Sequence, residues 1–172
     1  MTVVYLTARA LHVLLGALWV GSVFVVVYFV SPSMAEAGPD AAKVMAGLMK
    51  RRLLNVIPII ALATIVLGLW LYWRFTGGFD PALSGSPGGM VFGAGGLIAI
   101  IAIHIGLLGM RRNTLRAIAR SKAIAGMPDG AEKSQAMAAV QELRNRAATA
   151  GRITAVLLMV TVVLMALGHY VG

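Results

Sequence analysis

The stretch Leu11–Val30, LHVLLGALWVGSVFVVVYFV, decides the fold class, because it contains no Asp, Glu, Lys or Arg over its whole length. About 20 consecutive apolar residues are enough for one transmembrane helix. Three further windows meet this rule: Leu53–Trp73, Met90–Met110 and Ile153–Val171. Aromatic residues lie near the window ends, as interfacial anchors do. The pattern predicts an all-α integral membrane four-helix bundle, with residues 1–172 forming a single transmembrane domain.

Composition supports a membrane protein independently of the windows. Of the 172 residues, 59% are apolar and only 12% are charged, and the mean hydropathy is +0.87. Soluble domains carry about twice this share of charged residues. The chain is therefore expected to have the lipid bilayer as its solvent.

The basic residues that give the net charge of +9 are concentrated in two segments of the chain. Thirteen of the 15 Lys and Arg residues lie in residues 43–52 and 111–152, and only Arg9 and Arg74 lie elsewhere. With four passes the two basic segments share one side of the membrane, and the positive-inside rule makes that side cytoplasmic. This predicts both termini outside (N-out, C-out) in a bacterial inner membrane. Attraction to anionic lipid accounts for the charge, so no nucleic-acid partner is expected.

The segment between the third and fourth windows is not a simple loop. Residues 111–125 and 131–150 are Ala-rich and helix-permissive, and they flank the turn Gly126–Gly130. We expect helices 3 and 4 to continue as a cytoplasmic helical hairpin over residues 111–152. Its predicted apolar seam consists of Leu115, Ile118, Met137, Val140 and Leu143. Helix 1 is expected to end at Ser31-Pro32.

The three histidines are the candidate functional residues of the spanning windows. All three, His12, His104 and His169, lie within or at the end of a spanning window, where an ionisable group is a functional candidate. The six Asp and Glu residues all lie outside the windows, whereas proton pumps and ion carriers usually use intramembrane acids. No cysteine is present, which excludes thiolate copper sites, iron–sulfur clusters and covalently attached haem. The set favours b-type haem held between helices.

The depth of each histidine in the membrane determines which of them could bind the same haem. His12 and His169 both belong near the outer face. His104 belongs to the inner half, as does Met159 on helix 4, at about 9–10 Å from the inner boundary. Straight helices favour an outer site at His12 and His169, with a second inner site at His104. A single haem between His12 and His104 needs tilted helices, and tilts of about 20° are ordinary.

Other residues are candidate contacts of the same group. His12, Gly16 and Trp19 share one helix face. Gly16 would let a flat macrocycle approach, Trp19 would pack against it, and Arg9 or Arg111 would neutralise its propionates. The competing interpretation is a hydrogen-bonded histidine in a helix interface, with Gly16 serving helix packing.

A family resemblance adds to this interpretation. Arg9-Ala10-Leu11-His12, followed by Trp19 and Gly21, resembles the first helix of the HemJ-type protoporphyrinogen IX oxidases. The segment from Arg52 through Pro58 to Leu67-Gly68-Leu69-Trp70-Leu71 resembles their second helix, and Ala102-Ile103-His104 with Arg111-Arg112 the third. The related CopD copper-resistance membrane domain shares the histidine, Trp-x-Gly and second-helix pattern.

The resemblance implies a bundle that binds haem b through His12, with tetrapyrrole oxidation or quinone-linked electron transfer as the family activities. Helix 3 lacks the lysine of those oxidases, and residues 27–32 differ from the end of their first helix. Haem binding is therefore implied more directly than protoporphyrinogen oxidation. Candidate partners are a quinone or a tetrapyrrole.

Two other classes of function stay open. One is a CopD-like copper-handling protein, with metal ligands among His12, His104, His169 and methionines such as Met159. The other is a non-catalytic accessory subunit of a respiratory or photosynthetic membrane complex, which would dock through the hairpin.

Overall fold

The computed structural model describes residues 2–171, and these residues form helices joined by turns, with no strand. The helices are α1 (Val3–Val25), α2 (Ser31–Glu36), α3 (Ala41–Lys50), α4 (Leu53–Phe75), α5 (Pro81–Ser84), α6 (Pro87–Ile105), α7 (Arg112–Ile124) and α8 (Ala131–Leu167). Four continuous helical stretches are long and apolar enough to cross a membrane: Val3–Glu36, Leu53–Phe75, Pro87–Ile124 and Ala131–Leu167. The all-α prediction and the four apolar spans are confirmed.

The first helical stretch is longer than the sequence predicted. It does not end at Ser31-Pro32 but passes through a π-helical turn, Val26–Val30, into α2. Within this turn the Ser31 N–H donates to the Val26 carbonyl, which is the wider spacing of a π-helix. Pro32 lies directly after this turn, inside the continuous helix, where it cannot donate a backbone hydrogen bond. The wider π-helical turn before it accommodates the proline ring. The prediction of a helix end here was therefore wrong.

The third and fourth stretches continue as helices beyond their apolar windows, as the sequence predicts for helices 3 and 4. A second π-helical turn, Gly106–Arg111, joins α6 to α7 without a break. α7 packs against α8 through a small core of Ala117, Ile124, Val140 and Leu143. Met137, predicted for this seam, is 58% exposed. The buried stripe of α8 runs through positions 136, 140, 143 and 147, and Met137 lies one position off it.

The core of the spanning region is built largely from small residues. Trp19, Val23 and Val27 of α1 meet Ala61 of α4, Ala99 and Ala102 of α6, and Ala155 and Leu158 of α8. Small side chains at helix contacts let the backbones approach closely, as membrane helices require. Most larger aliphatic side chains lie on the outside of the bundle. An apolar exterior is what contact with lipid demands.

Two polar contacts mark the two ends of the bundle. Arg9, near the start of α1, is hydrogen-bonded to His169, just after α8, so both termini lie at one end. Arg111 is hydrogen-bonded to Leu54 at the start of α4, so the basic segments approach each other at the opposite end. We call this second end, with residues 50–55 and 106–112, the basic end.

Candidate functional site

His12 is held between α1 and α4. Its Nδ1 lies 2.9 Å from the backbone carbonyl oxygen of Thr64, and the ring is partly buried. A carbonyl can only accept, so Nδ1 carries the proton and donates. Nε2 then has a lone pair, and it makes no hydrogen bond with any other described residue. The bond to Thr64 thus holds the imidazole in one tautomer, with Nε2 as its unprotonated nitrogen.

Gly68 makes room for this imidazole. A Cβ atom added at Gly68 would lie 2.8 Å from Cε1 of His12, closer than real Cβ contacts. A Cβ atom added at Gly16 would meet only the Thr64 methyl group at 3.6 Å, an ordinary contact. The glycine that the ring needs is thus on the facing helix. The sequence pattern points to Gly16, on the same face as His12, and gives no sign of the part of Gly68, which lies on a different helix.

His169 is engaged by Arg9 at the same end of the bundle. The Arg9 Nη2 lies 2.8 Å from Nε2 of His169, and since a guanidinium only donates, this imidazole nitrogen accepts. The ring also packs edge-on against Phe92, with centroids 5.1 Å apart. Arg9 precedes His12 by three residues, so the two lie on neighbouring turns of α1. The structure brings Arg9 and His169 together one turn from His12.

His104 is in a different situation. Its Nδ1 bonds the carbonyl of Ile100 in its own helix, at 2.7 Å, and the residue is exposed. Met159, the sulfur candidate at similar depth, is 39% exposed. Among residues 2–171 no hydrogen bond joins any two of the three histidines.

Arg111 connects helices far from His12. Its Nε donates to the Leu54 carbonyl, and its Nη2 donates to Oδ1 of Asn55, both at 2.8 Å. Leu54 and Thr64 are ten residues apart on α4, about 15 Å along the axis at 1.5 Å per residue. In this conformation Arg111 braces α4 rather than facing the His12 imidazole.

Trp19 is buried in the bundle core and borders a small cavity. Only 4% of Trp19 is exposed, and the cavity beside it has a volume of about 60 Å³. Sites that enclose drug-sized ligands measure about 300–1,000 Å³. A porphyrin therefore does not fit in this cavity, and Trp19 is packed by protein side chains here.

Within the described chain, no three His, Cys, Asp or Glu residues come together as a metal-ligand cluster. Comparisons with protein-family models, curated proteins and solved structures give no match to this chain. The interpretation of the site thus depends on its own residues. Its donor chemistry would allow Nε2 of His12 to serve as one ligand to a metal.

Proposed function

We propose that this chain is a multi-pass membrane protein that binds b-type haem through His12 and serves electron transfer in the bilayer. The observation that supports the proposal best is the hydrogen bond from Nδ1 of His12 to the Thr64 carbonyl. Metal-bound histidines almost always donate their other ring N–H to a carbonyl or carboxylate, which fixes the tautomer and the ring orientation. When bound, haem supplies one-electron redox chemistry that no side chain here provides.

Each neighbour of His12 has a defined part in this proposal. Thr64 orients the ring, and Gly68 leaves space for it. Arg9, one turn away, supplies positive charge beside an acidic group such as a haem propionate. His169 holds Arg9 in place and is the candidate second ligand at this end.

We propose the orientation from the charge distribution. Residues 43–52 and 111–152 hold thirteen of the 15 basic residues, and by the positive-inside rule they face the cytoplasm. The termini and the His12 region then face outward from a bacterial inner membrane. The paired helices α7 and the first part of α8 form a cytoplasmic hairpin.

The test is a reduced-minus-oxidised spectrum with pyridine haemochrome quantification on protein expressed with ample haem. Wild type is expected to show a Soret band and a b-type α band. His12→Ala is expected to lose the bound haem, because it removes the oriented ligand. His104→Ala is the matched control: it removes an exposed imidazole that bonds only its own helix, and is expected to retain haem.

Absence of a Soret band in the wild type, or unchanged haem in His12→Ala, would reject the proposal. Metal analysis of the same samples separates the copper alternative. Stoichiometric copper without haem, lost in His12→Ala, would assign Nε2 of His12 to copper instead.

A further inference from the structure

The cavity beside Trp19 reaches residues of the basic end of the bundle. Its wall is apolar apart from Thr154 and Arg111, and includes Leu54, Ala61, Ala102, Leu107 and Met110. The volume of about 60 Å³ exceeds the space that a single water molecule needs. Apolar cavities of this kind stay dry and take up hydrocarbon instead. The cavity is partly open to the outside of the bundle, where the surroundings are lipid chains.

Both π-helical turns border this cavity. Val26 belongs to the first turn, and Gly106, Leu107, Met110 and Arg111 belong to the second. Single π-helical turns within long helices occur frequently at functional sites, because they displace the backbone locally. The cavity thus lies where both of these long helices depart from regular α geometry.

Arg111 is the charged residue in the cavity wall, and some of its N–H groups make no hydrogen bond within the described residues. Its hydrogen bonds use the Nε–H and one Nη2–H, and a guanidinium has five N–H donors in all. Three N–H groups are left for a ligand.

Further positive charge lies close to Arg111 and to its partners in the sequence. Arg51 and Arg52 lie just before Leu54 in the chain, and Arg112 follows Arg111; all three are exposed. The ion pairs of the described residues join Lys43 to Asp40, Lys133 to Asp129 and Arg146 to Glu142. None of these pairs involves the four arginines of the basic end.

We propose that the basic end binds one anionic phospholipid, with its phosphate at Arg111 and its neighbouring arginines, and with the first methylene groups of one acyl chain in the cavity. Basic pockets between transmembrane helices are suited to anionic headgroups. A phospholipid matches both halves of the site, because it joins a phosphate to hydrocarbon at the depth where the arginines meet the apolar wall. The lipid site is separate from His12, since Arg111 contacts α4 about 15 Å from Thr64.

The test is native mass spectrometry of the purified full chain with phosphatidylglycerol or phosphatidylcholine of identical acyl chains. Wild type is expected to retain phosphatidylglycerol preferentially. The double variant Arg51→Gln/Arg112→Gln removes exposed charges without touching the Arg111 bonds, and is expected to weaken phosphatidylglycerol binding about fivefold per arginine. Arg120→Gln/Arg144→Gln removes the same charge from exposed positions beyond the basic end, and is expected to bind like wild type.

A second pair of variants tests the cavity. Gly106→Leu adds a side chain next to Thr154 in the cavity wall, and is expected to weaken the binding of both lipids, because their acyl chains are identical. Gly106→Ala is the control, because its Cβ would contact Thr154 at an ordinary 3.6 Å. Millimolar inorganic phosphate is expected not to displace the lipid.

Equal binding of both lipids, or equal loss in the two charge variants, would overturn the proposal. Displacement by inorganic phosphate, with Gly106→Leu binding unchanged, would overturn it in favour of a simple phosphate site. Haem content measured on the same samples reports on His12 separately, so the two proposals fail independently.

Discussion

His12 and His104 make the same kind of hydrogen bond, but to carbonyls in different places. Each donates Nδ1–H to a backbone carbonyl at normal distance, 2.9 Å for His12 and 2.7 Å for His104. The carbonyl bonded by His12 belongs to Thr64 on the facing helix, whereas His104 bonds its own helix at Ile100. His12 is partly buried and His104 is exposed.

This difference shows that two histidines in membrane-spanning segments can have quite different surroundings. A bond to a neighbouring helix fixes the imidazole against two backbones and aims Nε2 in one direction. A bond within one helix satisfies the polar ring locally and leaves the fold independent of it. His12 is therefore fixed between two helices, whereas the polar ring of His104 is satisfied within its own helix.

The largest expected effect tests how closely the His12 ring packs against Gly68. Gly68→Leu is expected to lower the free energy of unfolding by about 3 kcal/mol, the upper part of the range for overpacking. Even a single Cβ there would lie 2.8 Å from the imidazole. Unfolding titrations in detergent micelles measure this, with Gly16→Ala as control because its Cβ would have 3.6 Å of clearance. Equal stability of Gly68→Leu and wild type would contradict the close packing of the His12 ring against Gly68.

The second prediction concerns what joins the His104 side of the bundle to α4. Arg111 rather than His104 makes the connection, through its bonds to Leu54 and Asn55. Arg111→Ala is expected to cost about 2 kcal/mol, as hydrogen bonds from a charged group do. The same titration on Arg112→Ala, an exposed neighbour, is expected to show less than about 0.5 kcal/mol. Similar losses in both variants would mean that general charge, and not the bonds to α4, stabilises this end.

The third prediction compares the two histidines directly. His12→Ala is expected to lower the free energy of unfolding of the haem-free protein by about 1 kcal/mol, typical of an interhelical hydrogen bond in a membrane protein. His104→Ala is expected to be nearly neutral, since its bond is local and its ring exposed. Titrations of haem-free protein keep this contribution apart from that of ligand binding. A larger loss for His104→Ala would reverse the comparison.

The sequence predicted the spans well because apolar length alone determines them. The four charge-free windows correspond to four helices, and a run of small and aliphatic residues leaves no other solution in lipid. Helix ends were predicted less well. Pro32 was interpreted as a stop, and the π-helical turn that accommodates it has no sequence signal of its own.

The candidate site was predicted in part. His12 could be found because an ionisable side chain stands out among apolar residues. The roles of Thr64 and Gly68 could not, because they depend on how α1 is rotated and shifted against α4. That register follows from many small contacts, such as Trp19 against Ala61, none of which is visible in one helix alone.

The smallest expected effect concerns His169, the histidine that resembles neither of the other two. Its bond to Arg9 joins both ends of the chain but lies in the exposed region beside Phe92. A double-mutant cycle with Arg9→Gln and His169→Phe is expected to give a coupling energy of about 0.5 kcal/mol, the low end for a hydrogen bond. Phenylalanine keeps the aromatic contact and removes only the acceptor.

The haem content of these variants then classifies His169. Retention of haem in His169→Phe, together with the small coupling energy, makes His169 a residue that positions Arg9. Loss of haem with no coupling to Arg9 makes it a second ligand, because the imidazole would then have left Arg9 to bind the metal. Either result sharpens the contrast with His104, whose removal is expected to change neither quantity.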